Sequence, residues 1–268
     1  MLDACVRDGA LRQVGQGRKA TWQIDKAKLR ATLAARRDQL FPAVRDCLVV
    51  ACAQTDANLQ PVFVALLEAF GREKKDERAL GFAAFFTAWA AKRSEPVEAE
   101  EAYRGAIEHF GAASEPAWQV FSLNELGVLL LARSNYAGAE PVLRDAMVMC
   151  QKLYPKDKYP QGHHEVASSL ISLGKLLRNR GDSAGAEPLF REALAMCRKL
   201  YHKDTNPKGH PYLAFSLNEL GELLCARGDH AGGEPLLREA LAKFGDPSRV
   251  ELLASVRIVT ARVGAATR

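Results

Sequence analysis

Three loop histidines of this chain have the residue type that could bind a metal ion. His163-His164 and the later His210 stand in two loops, and His163 and His210 are 47 residues apart. No cysteine or carboxylate recurs beside them at the spacing of a zinc site. We therefore interpret both loop histidines as entries into helices and expect no metal site.

The cysteines could act as nucleophiles or form disulfides. The chain holds six of them and no CxxC pair, and two lie 47 residues apart in equivalent places of a repeat. Such a low density is typical of a reducing compartment, so we expect a cytoplasmic protein with reduced, partly buried thiols. The six are Cys5, Cys47, Cys52, Cys150, Cys197 and Cys225.

Other catalytic patterns are incomplete. Gly15-Gln16-Gly17 lacks the lysine and hydroxyl residue of a phosphate-binding loop, so a hairpin turn is the better interpretation. GxSxG and HExxH are missing from the sequence. We expect no enzymatic activity and no cofactor. The recurring carboxylates are interpreted as solvated helix faces: Glu125, Glu140, Glu219 and Glu234.

Length and composition predict a globular protein with room for one large or two small domains. The chain has 268 residues, of which 48% are hydrophobic and 26% charged. No apolar run reaches 18 residues, so we expect no membrane span. Residues 1–45 contain ten Lys/Arg and four Asp/Glu, whereas the whole chain carries only +5. This asymmetry fits either a nucleic-acid contact or a solvated surface.

The elements that must position these residues come from an internal repeat. Three stretches align: SLNELGVLLLARSNYAGAEPVLRDAM from Ser122, SLISLGKLLRNRGDSAGAEPLFREAL from Ser169, and SLNELGELLCARGDHAGGEPLLREAL from Ser216. The spacing is 47 residues both times. A degenerate copy occupies residues 83–107, and a truncated one begins at Leu252. Fixed periods of this length are typical of solenoids.

The apolar pattern of each copy predicts two amphipathic helices. In copy two the first helix has an apolar stripe at i, i+3 and i+7, and Gly127 lies on that face, where a neighbouring helix can approach. A turn follows at Ser134-Asn135, with Gly-Asp in the later copies. We place the prolines of the AEP motif in the first turn of the second helix. The apolar stripe of the first helix is Leu123, Leu126 and Leu130, and that of the second helix is Ala139, Leu143 and Ala146. The prolines are Pro141, Pro188 and Pro235.

This order of small and large residues resembles the tetratricopeptide repeat, and the AEPL motif with long inter-repeat loops resembles the kinesin-light-chain type. The resemblance implies an all-α fold, a right-handed superhelix or α-solenoid, over residues 80–264. It places repeats at about 80–111, 118–154, 164–201 and 211–245, with a terminal helix at 248–264. It also implies a surface that binds proteins.

Two further segments precede the repeats. Residues 1–30 resemble the last helix and wing of a winged-helix domain: a helix within residues 2–9, then strands 11–14 and 20–24 as a β-hairpin, with Arg12, Arg18 and Lys19 near its tip. Residues 31–79 read as a helical connector, and its last helix, ending at Gly71, is apolar on most faces. We expect that helix to be buried against the first repeat.

The resemblance also assigns a concave groove lined by the first helix of each copy. With the repeated glycine counted as position eight, positions two, five, nine, twelve and thirteen face the ligand. Asn124 and Asn218 match groove asparagines of the family and either hold a peptide backbone or merely face solvent. The predicted partner-binding residues are Phe121, Asn124, Val128, Ser168, Ile171, Lys175, Arg178, Asn179, Phe215, Asn218 and Glu222.

Arginine recurs at position fourteen of all four copies. These residues are Arg93, Arg133, Arg180 and Arg227. One interpretation is a cation that stabilises a helix C-terminus, and the other is a basic ladder along the groove edge that meets an acidic partner.

The sequence therefore predicts a non-enzymatic scaffold that binds an extended peptide or a partner protein in the groove. Lys175 and Arg178 favour an acidic or acid-flanked peptide. The alternative is a DNA-binding or signalling regulator, a fragment of a signal-transducing ATPase-type protein, in which the repeats act as a sensor. We do not expect nucleic acid or membrane as the partner, and the oligomeric state is not predicted.

Overall fold

The structure is a computed structural model that describes residues 11–14, 21–25, 28, 31, 60–201 and 210–243. Near the N-terminus, β1 (Leu11–Val14) and β2 (Thr21–Ile24) pair antiparallel, with Leu11 opposite Ile24. The predicted strand pairing is confirmed, and the predicted turn between the two strands lies outside the described residues. The helix predicted within residues 2–9 and the one at 248–264 lie outside the described residues.

The rest of the described chain is helical. Helices follow one another with short turns, except for the two longer inter-repeat connections. They are α1 (Gln60–Lys74), α2 (Glu77–Ala91), α3 (Pro96–Ala112), α4 (Pro116–Ala132), α5 (Tyr136–Leu153), α6 (His164–Asn179), α7 (Ser183–Leu200), α8 (Pro211–Ala226) and α9 (His230–Lys243).

These helices form a solenoid in which each helix packs on its neighbours in the chain. One apolar cluster lies under α1 to α5 and a second under α6 to α9, and Leu176 of α6 joins the first. Leu67 of α1 belongs to the first cluster, so α1 packs on the first repeat as predicted, although it ends at Lys74 instead of Gly71. Neither helix of a copy can bury its stripe alone, so stacking makes the core continuous. The predicted all-α solenoid is confirmed.

The repeated glycines let paired helices touch. A Cβ atom on Gly174 would lie 2.5 Å from Cε1 of Phe190, and one on Gly221 would lie 2.8 Å from Cγ of Leu237. Gly127 meets Leu143 in the same way. Each glycine of a first helix therefore receives a large side chain of the second helix, which confirms the predicted close approach.

The turn between paired helices combines a left-handed residue with an N-cap. Gly181 and Gly228 have φ of 87° and 88°, and Ser134 takes the equivalent place with φ of 57°. The next residue caps the second helix: the carboxylate of Asp182 accepts a hydrogen bond from the N–H of Gly185 at 2.8 Å. Asn135 and Asp229 do the same in their copies. Copy two therefore has a serine where glycine is the natural residue.

We predicted from the sequence that the prolines of the AEP motif lie in the first turn of the second helix, and this prediction was wrong. Pro141, Pro188 and Pro235 lie inside α5, α7 and α9, because the cap begins each helix five residues earlier. All three prolines are exposed. The residue four positions before each proline is exposed too, so the carbonyl group that loses its N–H partner lies on the solvent-facing side of the helix.

The cysteines inside the described ranges are reduced and buried. Cys150, Cys197 and Cys225 are free thiols, and the side chains of the first two contact serine hydroxyls, Ser169 and Ser216. Their expected role as small core residues is confirmed. None of the described helices is long and apolar enough to cross a membrane.

Candidate functional site

The first helices of the copies form one continuous layer. α4 contacts α6, and α6 contacts α8, although a second helix intervenes in the chain each time. Elements on the inside of a curved stack lie closer together than those outside. The exposed side of α4, α6 and α8 is therefore the candidate binding surface.

Positions two, nine and thirteen of this layer are accessible. Val128 and Phe215 are 40% and 39% exposed, and Lys175 is half-buried between them. We call the accessible set the first-helix surface. It consists of Phe121, Val128, Ala132, Ser168, Lys175, Asn179, Phe215, Glu222 and Ala226.

Positions five and twelve do not belong to this surface, which corrects our assignment of the groove. Asn124, Ile171 and Asn218 at position five are all at most 8% exposed. Each residue advances the helix by about 100°, so positions two, nine and thirteen share one stripe while five and twelve lie roughly 70° to one side. That side faces the first helix of the next copy. Leu131 and Cys225 are buried there too, and Arg178 is half-buried.

Asn124 contacts the neighbouring copy instead of a ligand. Both amide atoms lie near the hydroxyl of Ser169, with Nδ2 at 3.0 Å and Oδ1 at 3.1 Å from Oγ. The sulfur of Cys150 lies 3.3 Å from the same hydroxyl. The amide therefore joins α4 to α6 inside the protein. Neither of the two roles predicted for Asn124, a peptide contact or a solvated side chain, agrees with this geometry.

A charged cluster joins α6 to α8. Lys175 Nζ lies 3.1 Å from Oε1 of Glu219, and Arg178 Nη1 lies 2.7 Å from Oε2 of Glu219 and 3.3 Å from Oε2 of Glu222. Asn218 donates to Glu222 at 2.9 Å. Two cations thus meet two carboxylates. Glu219 is only 5% exposed, so our interpretation of it as a solvated carboxylate was wrong.

Burial within this cluster affects the protonation of Glu222. Loss of solvent raises the pKa of Glu222, and the negative Glu219 raises it further, while Asn218 and Arg178 oppose the shift. The cluster is therefore a mutually neutralised set of groups at the centre of the first-helix surface.

The arginines at position fourteen of copies two to four pair with the preceding copy. Arg133 binds Glu100, and Arg180 binds Glu140, each with 2.5 Å between Nη1 and Oε2. Arg227 binds Glu187 in the same way. Arg133, Arg180 and Arg227 are also the C-cap residues of α4, α6 and α8, so they combine a favourable helix-end charge with an inter-repeat ion pair. These three arginines are exposed but already paired with carboxylates of the same chain.

The loop histidines cap helices, as predicted. Nδ1 of His163 accepts the N–H of Glu165 at 3.2 Å, and Nδ1 of His210 accepts the N–H of Tyr212 at 3.3 Å. Each imidazole stacks on the tyrosine that ends the previous helix. In the part of the chain that the structure describes, no group of three or more His, Cys, Asp or Glu side chains could hold a metal ion.

Comparison with known proteins agrees with this architecture. The tetratricopeptide repeat family matches residues 122–159, 166–212 and 214–244. The crystal structure of BtubC (BKLC) from P. vanneervenii has a TM-score of 0.62 and 19% identity, covering 82% of this chain and 91% of that one. These three matched segments are tetratricopeptide repeats. The described helices share their fold with the BtubC structure and with a protein of the kinesin-light-chain type.

Two further solved structures share the fold. A Podosopora anserina protein of kinesin-light-chain type, with nearly identical TPR-like repeats, gives a TM-score of 0.54 at 17% identity, over 80% of this chain and 98% of that one. A Rap protein complexed with competence and sporulation factor gives 0.54 at 11% identity, over 87% of this chain and 67% of that one. Curated protein sequences give no significant match. Repeat arrays of this kind act as scaffolds for protein interactions, typically without enzymatic activity.

Proposed function

We propose that the protein is a non-enzymatic scaffold that binds an extended peptide segment of a partner protein on the first-helix surface. The observation that carries the proposal is the exposure of Val128 and Phe215, two large apolar side chains on the layer that the first helices form. Solenoids use their concave layer of helices for binding because it offers a long, continuous surface.

The dimensions of this surface suit a short extended segment. Packed helices lie about 8–10 Å apart, so α4, α6 and α8 span roughly 20 Å. An extended chain rises about 3.3 Å per residue, so about six residues cross the three helices. An apolar side chain near Val128 and another near Phe215 then supply most of the affinity, because exposed ion pairs add only about 0.2–1 kcal/mol each.

The charged cluster argues against the acidic peptide that the sequence suggested as the partner. Lys175 and Arg178 already contact Glu219 and Glu222. An acidic peptide would have to compete with these carboxylates, so it gains little from the two cations. We therefore propose an apolar peptide without a required acidic residue.

The test compares two valine variants that add the same charge. Val128→Arg places a cation on α4 within the first-helix surface, whereas Val148→Arg places one on α5, where the valine is 49% exposed. We expect Val128→Arg to lose the partners that wild-type bait captures from a lysate, and Val148→Arg to retain them.

A peptide recovered by this capture then gives the quantitative result. We expect its Kd to rise about tenfold or more in Val128→Arg and to change less than twofold in Val148→Arg. Equal binding by both variants, with unchanged melting temperatures, would place the partner on another surface and overturn the proposal.

A further inference from the structure

A cavity rimmed by aromatic rings lies at one end of the first-helix layer. It is open to solvent on one side and has a volume of about 720 Å³, between the starts of α4, α6 and α8 and the two tyrosines that end α5 and α7. Phe121 belongs both to this cavity and to the first-helix surface. The lining residues are Ala117, Trp118, Phe121, Tyr154, His163, His164, Glu165, Tyr201, His210 and Tyr212.

The repeat explains why these residues meet. Trp118, Glu165 and Tyr212 are equivalent residues, 47 apart, in the first turns of α4, α6 and α8. Adjacent first helices therefore place a carboxylate between two aromatic rings. Sequence analysis missed this row because we compared only the positions of the presumed groove.

Glu165 is a buried carboxylate that is only partly satisfied. Its side chain lines the cavity, yet the residue is 8% exposed. Oε1 lies 3.3 Å from Nε2 of His164, while no donor among the described residues reaches Oε2. A buried carboxylate oxygen without a donor is costly, and a bound cation removes that cost.

The Glu165 carboxylate affects the pKa values of other side chains that line the cavity. Burial raises the pKa of Tyr154, Tyr201 and Tyr212, and the nearby Glu165 carboxylate contributes to the shift of all three. Burial also lowers the pKa of His163, and the neighbouring His164 lowers it further. Among the described lining residues there is no lysine or arginine to balance the carboxylate.

The rings are fixed before any ligand arrives. Tyr154 and His163 stack with centroids 3.5 Å apart, and Tyr201 and His210 stack at 3.7 Å, both nearly parallel. Because each imidazole also caps a helix, its orientation is set by the backbone. Faces of fixed aromatic rings attract cations, and Tyr and Trp are the stronger binders.

We propose that this cavity binds the guanidinium group of an arginine side chain of the partner, with Glu165 as the counter-ion and the aromatic rings as its walls. A guanidinium group is planar, stacks on rings and donates two parallel hydrogen bonds to a carboxylate. The arginine belongs to the same peptide that crosses the first-helix surface, since Phe121 links the two regions. The inference therefore deepens the proposed function and rests on it.

The test uses the pentapeptide acetyl-Ala-Ala-Arg-Ala-Ala-amide and the full chain at pH 8, where free histidine is neutral. The matched ligand replaces arginine by citrulline, which has the same shape without the charge. Calorimetry should give a Kd on the order of 1 mM for the arginine peptide. We expect the citrulline peptide to bind about tenfold more weakly.

Two variants locate the site. Glu165→Gln keeps the shape of the side chain and should weaken the arginine peptide about tenfold, to the level of the citrulline peptide. Glu98→Gln removes an exposed first-turn carboxylate of α3 and should bind as the wild type does. Melting curves of both variants check the fold, and the citrulline comparison on the wild type needs no variant.

Specific results would overturn the inference. They are equal binding of arginine and citrulline peptides, or unchanged arginine binding in Glu165→Gln. Tighter binding of methylguanidine than of the peptide would point to a free small molecule and overturn the assignment to a partner. If the arginine peptide depends on Glu165 while Val128→Arg still captures the partner, the cavity stands and the proposed function fails.

Discussion

The junction between α4 and α6 and the junction between α6 and α8 have the same backbone arrangement and different chemistry. At the first, the neutral amide of Asn124 meets the hydroxyl of Ser169. At the second, position five of α6 is the apolar Ile171, and Lys175 and Arg178 reach the carboxylates of α8. The two junctions share the contact between a buried thiol and a serine hydroxyl.

The comparison of the two junctions distinguishes the repeat positions that specify the fold from those that specify the surface. The recurring glycine, leucine and alanine positions stack the helices in both junctions. Positions five, six, nine and twelve, which include Glu219 at position six, differ between the copies. We therefore expect core changes to disrupt both junctions, and changes at the variable positions to affect one junction only.

The largest effect should come from a charge in the shared core. Ala186 of α7 is fully buried, so Ala186→Arg should cost more than about 4 kcal/mol and unfold the neighbouring repeats. Ala184→Arg, on the exposed side of the same helix, should change the unfolding free energy by less than about 0.5 kcal/mol. Circular dichroism during urea unfolding measures both. Wild-type stability of Ala186→Arg would contradict the repeat register.

A smaller effect should distinguish the two junctions. Glu219→Ala leaves Lys175 and Arg178 with one carboxylate fewer, which should cost about 2–3 kcal/mol because Glu219 is buried and the cations are partly exposed. Asn124→Ala removes a neutral hydrogen bond and should cost about 1 kcal/mol. Urea unfolding at low salt gives both values. Equal costs would mean that the two junctions do not differ in the way their contacts indicate.

Alkaline pH should lower the free energy of unfolding through the buried thiol of Cys150, which makes one of the two thiol–serine contacts that the junctions share. Burial raises the pKa of Cys150 from 9.0 to about 11. The unfolded chain therefore loses this proton first, and the stabilising contribution, complete below pH 9, is lost as the pH rises to about 11. We expect a loss of about 1–2 kcal/mol. Urea unfolding between pH 8 and 11 should show a smaller loss in Cys150→Ala, and an identical loss would refute the assignment to this thiol.

The smallest effect concerns the turn before α5. Ser134 holds a positive φ of 57° where the later copies have glycine. Ser134→Gly should therefore stabilise the protein by about 0.5–1 kcal/mol, and Gly181→Ser should destabilise it by a similar amount. Thermal melting of the two variants checks the sign. A destabilised Ser134→Gly would show that the serine makes a compensating contact.

The fold could be predicted because its signals are local and repeated. Gly174 and Phe190 sit in copies whose equivalents are again small and large, and Asp182 is a recognisable cap. The proline positions were mispredicted because the sequence does not show where a cap begins the helix. Once Asn135 is known to accept from Gly138, Pro141 must lie beyond the first turn.

The site was less predictable because surface and junction positions look alike in a sequence. Asn124 is polar and yet buried, since Ser169 of the next copy satisfies its amide. Glu219 is buried for the same reason, through cations that lie 41 and 44 residues earlier. The periodicity of 3.6 residues could have separated position five from positions two and nine. The pairing partners could not be read from one copy alone.

The central claim is that partners bind on the first-helix layer, and photo-crosslinking tests it most directly. A benzoylphenylalanine is placed at Val128 of α4 or at Val148 of α5, two exposed valines on the two helices of one copy. The account predicts crosslinks to a partner from Val128 and at least about tenfold fewer from Val148. Equal crosslinking from both positions, or crosslinking from Val148 alone, would contradict it.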